Sequence, residues 1–147
     1  MAVRLLAQPF DPGALLSAFC AGRAETGAVV SFTGLARAEG GAAQALVLEA
    51  YPGFTDREIE RMADETSARF GLHDVLVVHR YGAIAPGEAI VFVAAAAAHR
   101  RAAFEAADQL MDYLKTRAPF WKKEVGPLGE RWIEPTAGDH RDAGRWG

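Results

Sequence analysis

An α+β domain with a mostly antiparallel sheet is the fold class this sequence predicts, and three observations predict it. Apolar residues recur at three- and four-residue spacing in some stretches and at strand-like density in others, in mixed order along the chain. Successive strand candidates are joined by short turns rich in Gly and Pro, which favours antiparallel pairing. No internal repeat and no linker interrupts the 147 residues, so a single domain over residues 1–135 is expected, followed by a polar tail over 136–147.

Val3 to Gln8 reads as the first strand. Asp11-Pro12 then supplies an N-cap and a first-turn proline for a helix with Leu15, Leu16, Phe19 and Cys20 on its apolar stripe, and Gly22 ends it. On that stripe Cys20 is expected to be a small buried hydrophobe rather than a nucleophile. Ala28 to Thr33 and Ala45 to Tyr51 are strands on either side of Gly34 to Gly41, a glycine-rich loop carrying Arg37 and long enough to reach over a site. After a turn at Tyr51-Pro52-Gly53-Phe54, Thr55 and Glu58 have the spacing of a capping box. The helix they open runs to about Phe70, with Ile59, Met62 and Thr66 inward and Gly71 as its C-cap.

Val75 to Tyr81 and Ile90 to Ala95 are the next strands, turned through Pro86-Gly87. A helix from about His99 to Arg117 sets Phe104, Ala107, Met111 and Leu114 on one stripe, ready to pack on the sheet. Trp121 to Val125 and Arg131 to Glu134 close the fold around a turn at Gly126-Pro127 and Gly129. The tail from Thr136 is polar and contains glycine, so it is expected to be mobile unless a partner orders it.

Composition excludes several functions. The formal charge of -3, from 16 Lys plus Arg against 19 Asp plus Glu, offers no bulk field for nucleic acid, so a bound anion must be small and locally held. No apolar run reaches the length of a membrane span. A lone Cys20 makes no internal disulfide and the first residues do not read as a secretory leader, so a cytoplasmic protein is expected. No metal-ligand spacing, phosphate loop or dinucleotide fingerprint is present, so neither metal nor cofactor is expected.

The segment from Met111 to Glu124 is the most informative. Pro119 cannot sit inside a helix and disfavours helical geometry at Ala118, so the chain must turn between Lys115, closing a helix, and Lys122, opening a strand. Two ammonium groups meeting this way suit chemistry on an anion. Taken alone, a helix-end lysine such as Lys115 is more often a solvated surface charge, so the functional reading needs a neighbour. Strand alternation puts Lys122 and Glu124 on one face and Trp121, Lys123 and Val125 on the other. That pair is either a weak surface ion pair or a carboxylate orienting an ammonium. His99 and Arg100 follow the small residues Ala94 to Ala98, which are expected to leave space at a helix N-terminus where anions are favoured. The bland reading there is a capping histidine beside a wet arginine. Arg37 has the fork that grips phosphate, although loop arginines are often simply solvated. His73, His79 and His140 read as scattered structural or surface groups.

Gly27-Ala-Val-Val-Ser-Phe-Thr-Gly34 with Arg37, Leu48-Glu-Ala-Tyr-Pro-Gly53, Val78-His-Arg-Tyr-Gly82, Ala98-His-Arg100, Phe104-Glu105 and the Met111 to Glu124 segment together resemble the large, catalytic subunit of molybdopterin synthase, over about Gln8 to Glu134. The resemblance implies a single-domain, α/β-hammerhead-like α+β fold, with about three helices on the sheet and a small β subdomain. It implies an enzyme of molybdenum cofactor biosynthesis that installs the dithiolene sulfurs of molybdopterin on cyclic pyranopterin monophosphate, precursor Z. Sulfur would come from the C-terminal Gly-Gly thiocarboxylate of a small ubiquitin-like subunit, in a heterotetramer around a homodimer of the large one.

Carried over by motif, Lys115 resembles the acid-base lysine and Lys122 the second essential lysine. Arg37, His99 and Arg100 resemble the groups that bind phosphate and pterin, while Phe32, Met111 and Glu124 resemble residues lining or supporting the site. Two departures stand out: Leu35 occupies a place where many relatives carry a second loop cation, and Pro135-Thr136 replaces an arginine offered to the neighbouring subunit, leaving Arg141 as the nearest candidate. Two rivals are a non-catalytic module that docks a ubiquitin-like tail or holds a pterin phosphate, and a thiol-dependent sulfurtransferase, which needs Cys20 exposed.

Overall fold

The computed structural model describes residues 2–38, 45–127 and 129–146. Among them the chain runs β1 (Ala2–Leu6), α1 (Pro12–Cys20), β2 (Ala28–Leu35), β3 (Ala45–Glu49), α2 (Thr55–Phe70), β4 (Asp74–Arg80), β5 (Gly82–Ile84), β6 (Ala89–Ala97), α3 (Arg100–Thr116), β7 (Trp121–Gly126), β8 (Gly129–Ile133) and α4 (Ala137–Gly144). The strands form two four-stranded sheets, ordered β1-β4-β6-β2 and β5-β3-β7-β8. Among the described residues only the β1–β4 pair is parallel. The α+β reading holds. The second sheet has as many strands as the first, and a fourth helix joins the three foreseen. Gly40 and Gly41 of the glycine loop lie outside the described residues.

The first sheet is covered on both faces, which is why β4 and β6 read as almost unbroken apolar runs. Val75, Val77, Val91 and Val93 turn towards Ile59 and Ala63 of α2 and Leu110 and Leu114 of α3. Leu76, Val78, Phe92, Ala94 and Ala96 turn the other way, onto Phe19 of α1. Each fully buried aliphatic side chain contributes roughly 1.5–3 kcal/mol. The second sheet packs a smaller cluster, Leu46, Leu48 and Ile84 with Ala36, against Ile90 and Phe120. Its other face carries the exposed rings of Trp121 and Trp132, stacked edge to face at 6.2 Å.

Asp11 caps α1 through Gly13 N and Ala14 N at 3.0 and 3.3 Å, and Gly71 ends α2 at φ 62°. Several expectations are corrected. Cys20 is exposed, because α1 spans only nine residues and Phe19 alone turns fully inward. Thr55 forms no capping box with Glu58: its hydroxyl is buried, accepts from Tyr51 N at 2.9 Å and donates to the Pro119 carbonyl at 3.1 Å, while Asp56 takes the Gly53 N–H at 2.6 Å. Phe104 is exposed. The face of α3 that meets the sheet is instead Ala103, Ala106, Ala107, Leu110 and Leu114, whose small side chains permit close approach. Ala94 to Ala97 leave no space, being 0–1% exposed. A Cβ on neighbouring Gly27 would come within 2.1 Å of the Ala98 carbonyl oxygen, so only glycine fits beside that run.

The polar tail, expected to be mobile, forms α4. Thr136 and Asp139 make a reciprocal capping box at its start. At its end Arg145 and the Trp146 indole N–H both donate to Asp112 of α3, at 2.7 and 2.5 Å, and Trp146 meets Phe70 edge to face at 6.1 Å. Those anchors are remote in sequence, so the composition of the tail does not reveal them.

Candidate active site

A cavity of about 670 Å³ opens where the two sheets meet. Its apolar walls include Leu46 and Leu48 of β3, Val91 of β6, Leu114 of α3 and Phe120 of the connection before β7, with Phe32 from β2 and Met111 from α3 also facing it. Gly34 lines the same wall. A Cβ there would stand 2.7 Å from a Val91 methyl, so glycine keeps β2 close to β6 beside the opening.

Lys115 and Lys122 both line this cavity. The helix α3 ends at Thr116, one residue beyond Lys115, and Arg117 caps it, its N–H donating to the Tyr113 carbonyl at 2.7 Å. Pro119 completes the stop, and β7 begins at Trp121. The Thr55 hydroxyl pins the Pro119 carbonyl from α2, so the turn between the lysines is held by a buried contact rather than by its own sequence alone. A cation in the last turn of α3 is also favoured by the helix dipole. Lys115 forms no hydrogen bond or ion pair with any described residue. On β7, Lys122 stands opposite Leu48 and Glu124 opposite Leu46, so both share the inward face of the second sheet. Lys123 faces outward, paired with Glu130 at 3.2 Å and lying over the Trp132 ring.

The expected residues therefore divide. Lys115, Lys122, Phe32 and Met111 line the cavity; Arg37, Glu124, His99 and Arg100 do not. Glu124 is one strand step beyond Lys122. Arg37 is exposed just past β2, where Ala36 is fastened to the turn before β6 by Ala36 N to Glu88 O at 2.9 Å and Gly87 N to Ala36 O at 2.7 Å. His99 and Arg100 are exposed at the opposite end of α3, about 22 Å along the axis from Lys115 at 1.5 Å per residue. Arg141 is exposed on α4 and does not line the cavity either. Cys20, although exposed, belongs to the helix on the other face of the first sheet, so the thiol-dependent reading loses its geometry.

Three lining groups were missed by sequence reasoning. Glu134 and Asp139 add carboxylates to the wall, so the cavity is bounded by both signs of charge rather than by cations alone. The Thr-x-x-Asp spacing of Thr136 and Asp139 was a legible sign of the helix that brings Asp139 there. The third is His79, at the end of β4 on the Val75 and Val77 face. It is buried, its Nδ1 lies 2.8 Å from the Arg80 carbonyl, and its ring stacks on Phe120 at 4.1 Å and 24°. Burial lowers its pKa from 6.5 to about 4, and the positive charge of Lys115 pushes in the same direction, against the hydrogen bond to Arg80. Strand alternation over Val75 to Tyr81 carried that signal.

A chamber with apolar walls, two amines and two carboxylates can hold a small polar ligand and stabilise negative charge that develops beside Lys115 and Lys122. Among the described residues no group of three or more His, Cys, Asp and Glu side chains is arranged to hold a metal ion, and no helix is long and apolar enough to cross a membrane.

The family model described as "MoaE protein" matches residues 5–117. Over 146 residues the chain is 71% identical to a Caulobacter vibrioides protein named "Molybdopterin synthase catalytic subunit", covering 99% of this chain and 97% of that one. A protein of the same name from Escherichia coli is 48% identical, with 95% and 93% covered. Among solved structures, the molybdopterin biosynthesis MoaE protein of Burkholderia ambifaria superposes with a TM-score of 0.84 at 42% identity, covering 100% of this chain and 99% of that one. Molybdopterin synthase from Staphylococcus aureus superposes with a TM-score of 0.80 at 26% identity, covering 88% and 95%. With its family model, its relatives and its fold in agreement, this chain belongs to the MoaE protein family.

Proposed function

We propose that this chain is the catalytic subunit of a molybdopterin synthase and works as a sulfurtransferase. Sulfur passes from the C-terminal Gly-Gly thiocarboxylate of a small ubiquitin-like subunit to cyclic pyranopterin monophosphate, in two rounds, to form the dithiolene of molybdopterin. The observation that carries this reading is the convergence of Lys115 and Lys122, seven residues apart, on one apolar cavity beneath a pinned turn.

In this reading Lys115 moves protons at the reacting thiocarboxylate and Lys122 holds charge that develops as the cyclic phosphate opens. Phe32 and Met111 pack against the pterin or the incoming tail, and Glu124 orients Lys122 from the same strand face. Arg37 closes over the phosphate from the β2 end. His99 and Arg100 lie too far along α3 to serve the cavity of their own chain, so their phosphate-binding role belongs to a second copy in a homodimer, with two small subunits completing a heterotetramer. No cofactor enters the step, and a cytoplasmic setting goes with it. A non-catalytic tail-docking module would need the groove but not the two amines.

The test is reconstitution: purified chain, thiocarboxylated partner and precursor Z, with molybdopterin as the readout. Product from the wild-type chain and almost none from Lys115→Ala is the expected result. Undiminished product from that variant removes Lys115 from the chemistry, and no product from the wild-type chain overturns the reading.

A further inference from the structure

We propose that Thr55 is a positioning residue for Lys115 and Lys122: its hydroxyl replaces a missing rung of the β3–β7 ladder and so fixes the turn that sets the two amines apart. The catalytic consequence rests on the sulfur-transfer reading. The rung itself does not.

Strands β3 and β7 pair in antiparallel register, with Leu48 opposite Lys122 and Glu49 opposite Trp121. Two steps further the same register sets Tyr51 opposite Pro119, and there a direct backbone pair does not form. Pro119 has no N–H to give. The Tyr51 carbonyl already receives Phe54 N and Thr55 N, both at 2.8 Å. The groups left over are the Tyr51 N–H and the Pro119 carbonyl, and the Thr55 hydroxyl joins them, accepting from Tyr51 N at 2.9 Å and donating to Pro119 O at 3.1 Å. Its direction is fixed, because a backbone N–H can only donate and a carbonyl can only accept, so the single hydroxyl proton must point at Pro119. Thr55 is 0% exposed, so water does not compete for the hydroxyl.

The place of this rung gives it its use. Pro119 lies four residues after Lys115 and three before Lys122. Within the connection, Ala118 N bonds back to Tyr113 O at 3.3 Å and Phe120 N to Ala118 O at 2.9 Å, contacts that hold the turn only to α3 or to itself. Among the described residues, the bond from Thr55 is the hydrogen bond that ties the backbone of residues 117–120 to a different element. Valine at this position would keep the branched outline but leave the Pro119 carbonyl and the Tyr51 N–H without a partner. The end of α3 and the start of β7 would then lose their fixed separation, and a displacement of about 1 Å at reacting groups can cost up to about a hundredfold in rate.

The experiment has two arms on the full chain. Hydrogen exchange should find the Tyr51 amide slow in wild type and in Thr55→Ser, although Tyr51 is 48% exposed, and about tenfold faster in Thr55→Val. A fast Tyr51 amide in wild type, or one unchanged in Thr55→Val, overturns the rung without touching the sulfur-transfer reading. In reconstitution with thiocarboxylated partner and precursor Z, Thr55→Val should lower kcat about tenfold at unchanged KM for the partner, and Thr55→Ser should stay within about threefold of wild type. Placed on Lys122→Ala, Thr55→Val should add less than about twofold, because the amine it positions is gone. Wild-type kcat in folded Thr55→Val, or an undiminished tenfold loss on top of Lys122→Ala, overturns the positioning role. An inactive wild-type chain condemns the function instead, with the exchange arm still able to decide for Thr55.

Discussion

The two ends of α3 carry similar residues and meet different surroundings. At the C-terminal end Lys115 enters a cavity walled by two sheets, beside a buried histidine, under a turn pinned by Thr55. At the N-terminal end His99 and Arg100 are exposed, and the His99 side chain does not even cap the helix. Both ends offer a basic residue and a helix terminus. Enclosure separates them, because a charge acts strongly only where water is excluded from the path between it and its target.

The largest effect that would test this contrast is on turnover. Lys115→Ala should lower kcat in reconstituted synthesis by about a thousandfold, while Arg100→Ala should act mainly by raising KM for the pterin, about tenfold. Equal losses of kcat at both ends would erase the distinction.

Acid stability sharpens it next. Above pH 6.5 the His79 ring is neutral whether the chain is folded or not, and it contributes nothing to the pH dependence. Below that, the unfolded chain binds a proton that the folded chain refuses, so stability falls with pH until about 4, by about 3 kcal/mol. Denaturant melts from pH 7 to 4 should show that loss in wild type, and should show less of it in His79→Phe. His99→Phe, at the open end, should leave the slope as it is.

The two faces of β7 give the contrast in miniature. Lys122→Ala should cost about a hundredfold in turnover, whereas Lys123→Ala, one residue along and facing outward, should stay within about twofold. A smaller loss is expected at the clamp on α3: Trp146→Ala removes a ring contact and the indole donor to Asp112, and should lower stability by about 2 kcal/mol in chemical denaturation. A melt identical to wild type would mean that α4 contributes nothing to holding the wall.

What could be read from the chain alone was local. Asp11-Pro12, Gly71 and Pro119 fix backbone geometry within a few residues, so the start of α1, the end of α2 and the turn between the lysines were all legible. Phe104 was misjudged because spacings of three and four fit more than one stripe of α3, and the alanine-rich β6 selects the stripe with the smallest side chains. Cys20 failed for a similar reason, as the last residue of a short helix whose inward face is set by Phe19. His79 had no spacing partner in the sequence, since its ring is packed by Phe120, 41 positions away on another stretch of chain. The tail was misread because its anchors, Asp108 and Asp112, lie more than 30 positions upstream of Arg145.

Asp112 joins these observations in one further way. It receives both Arg145 and Trp146, and it sits three positions before Lys115 on the same helix. Cargo fused behind Trp146 would therefore hang from the rod that carries Lys115, and any pull on it would be felt as torque at the chamber. A purification handle or surface tether is better attached at the opposite terminus, beside β1, whose strand lies at the far edge of the first sheet.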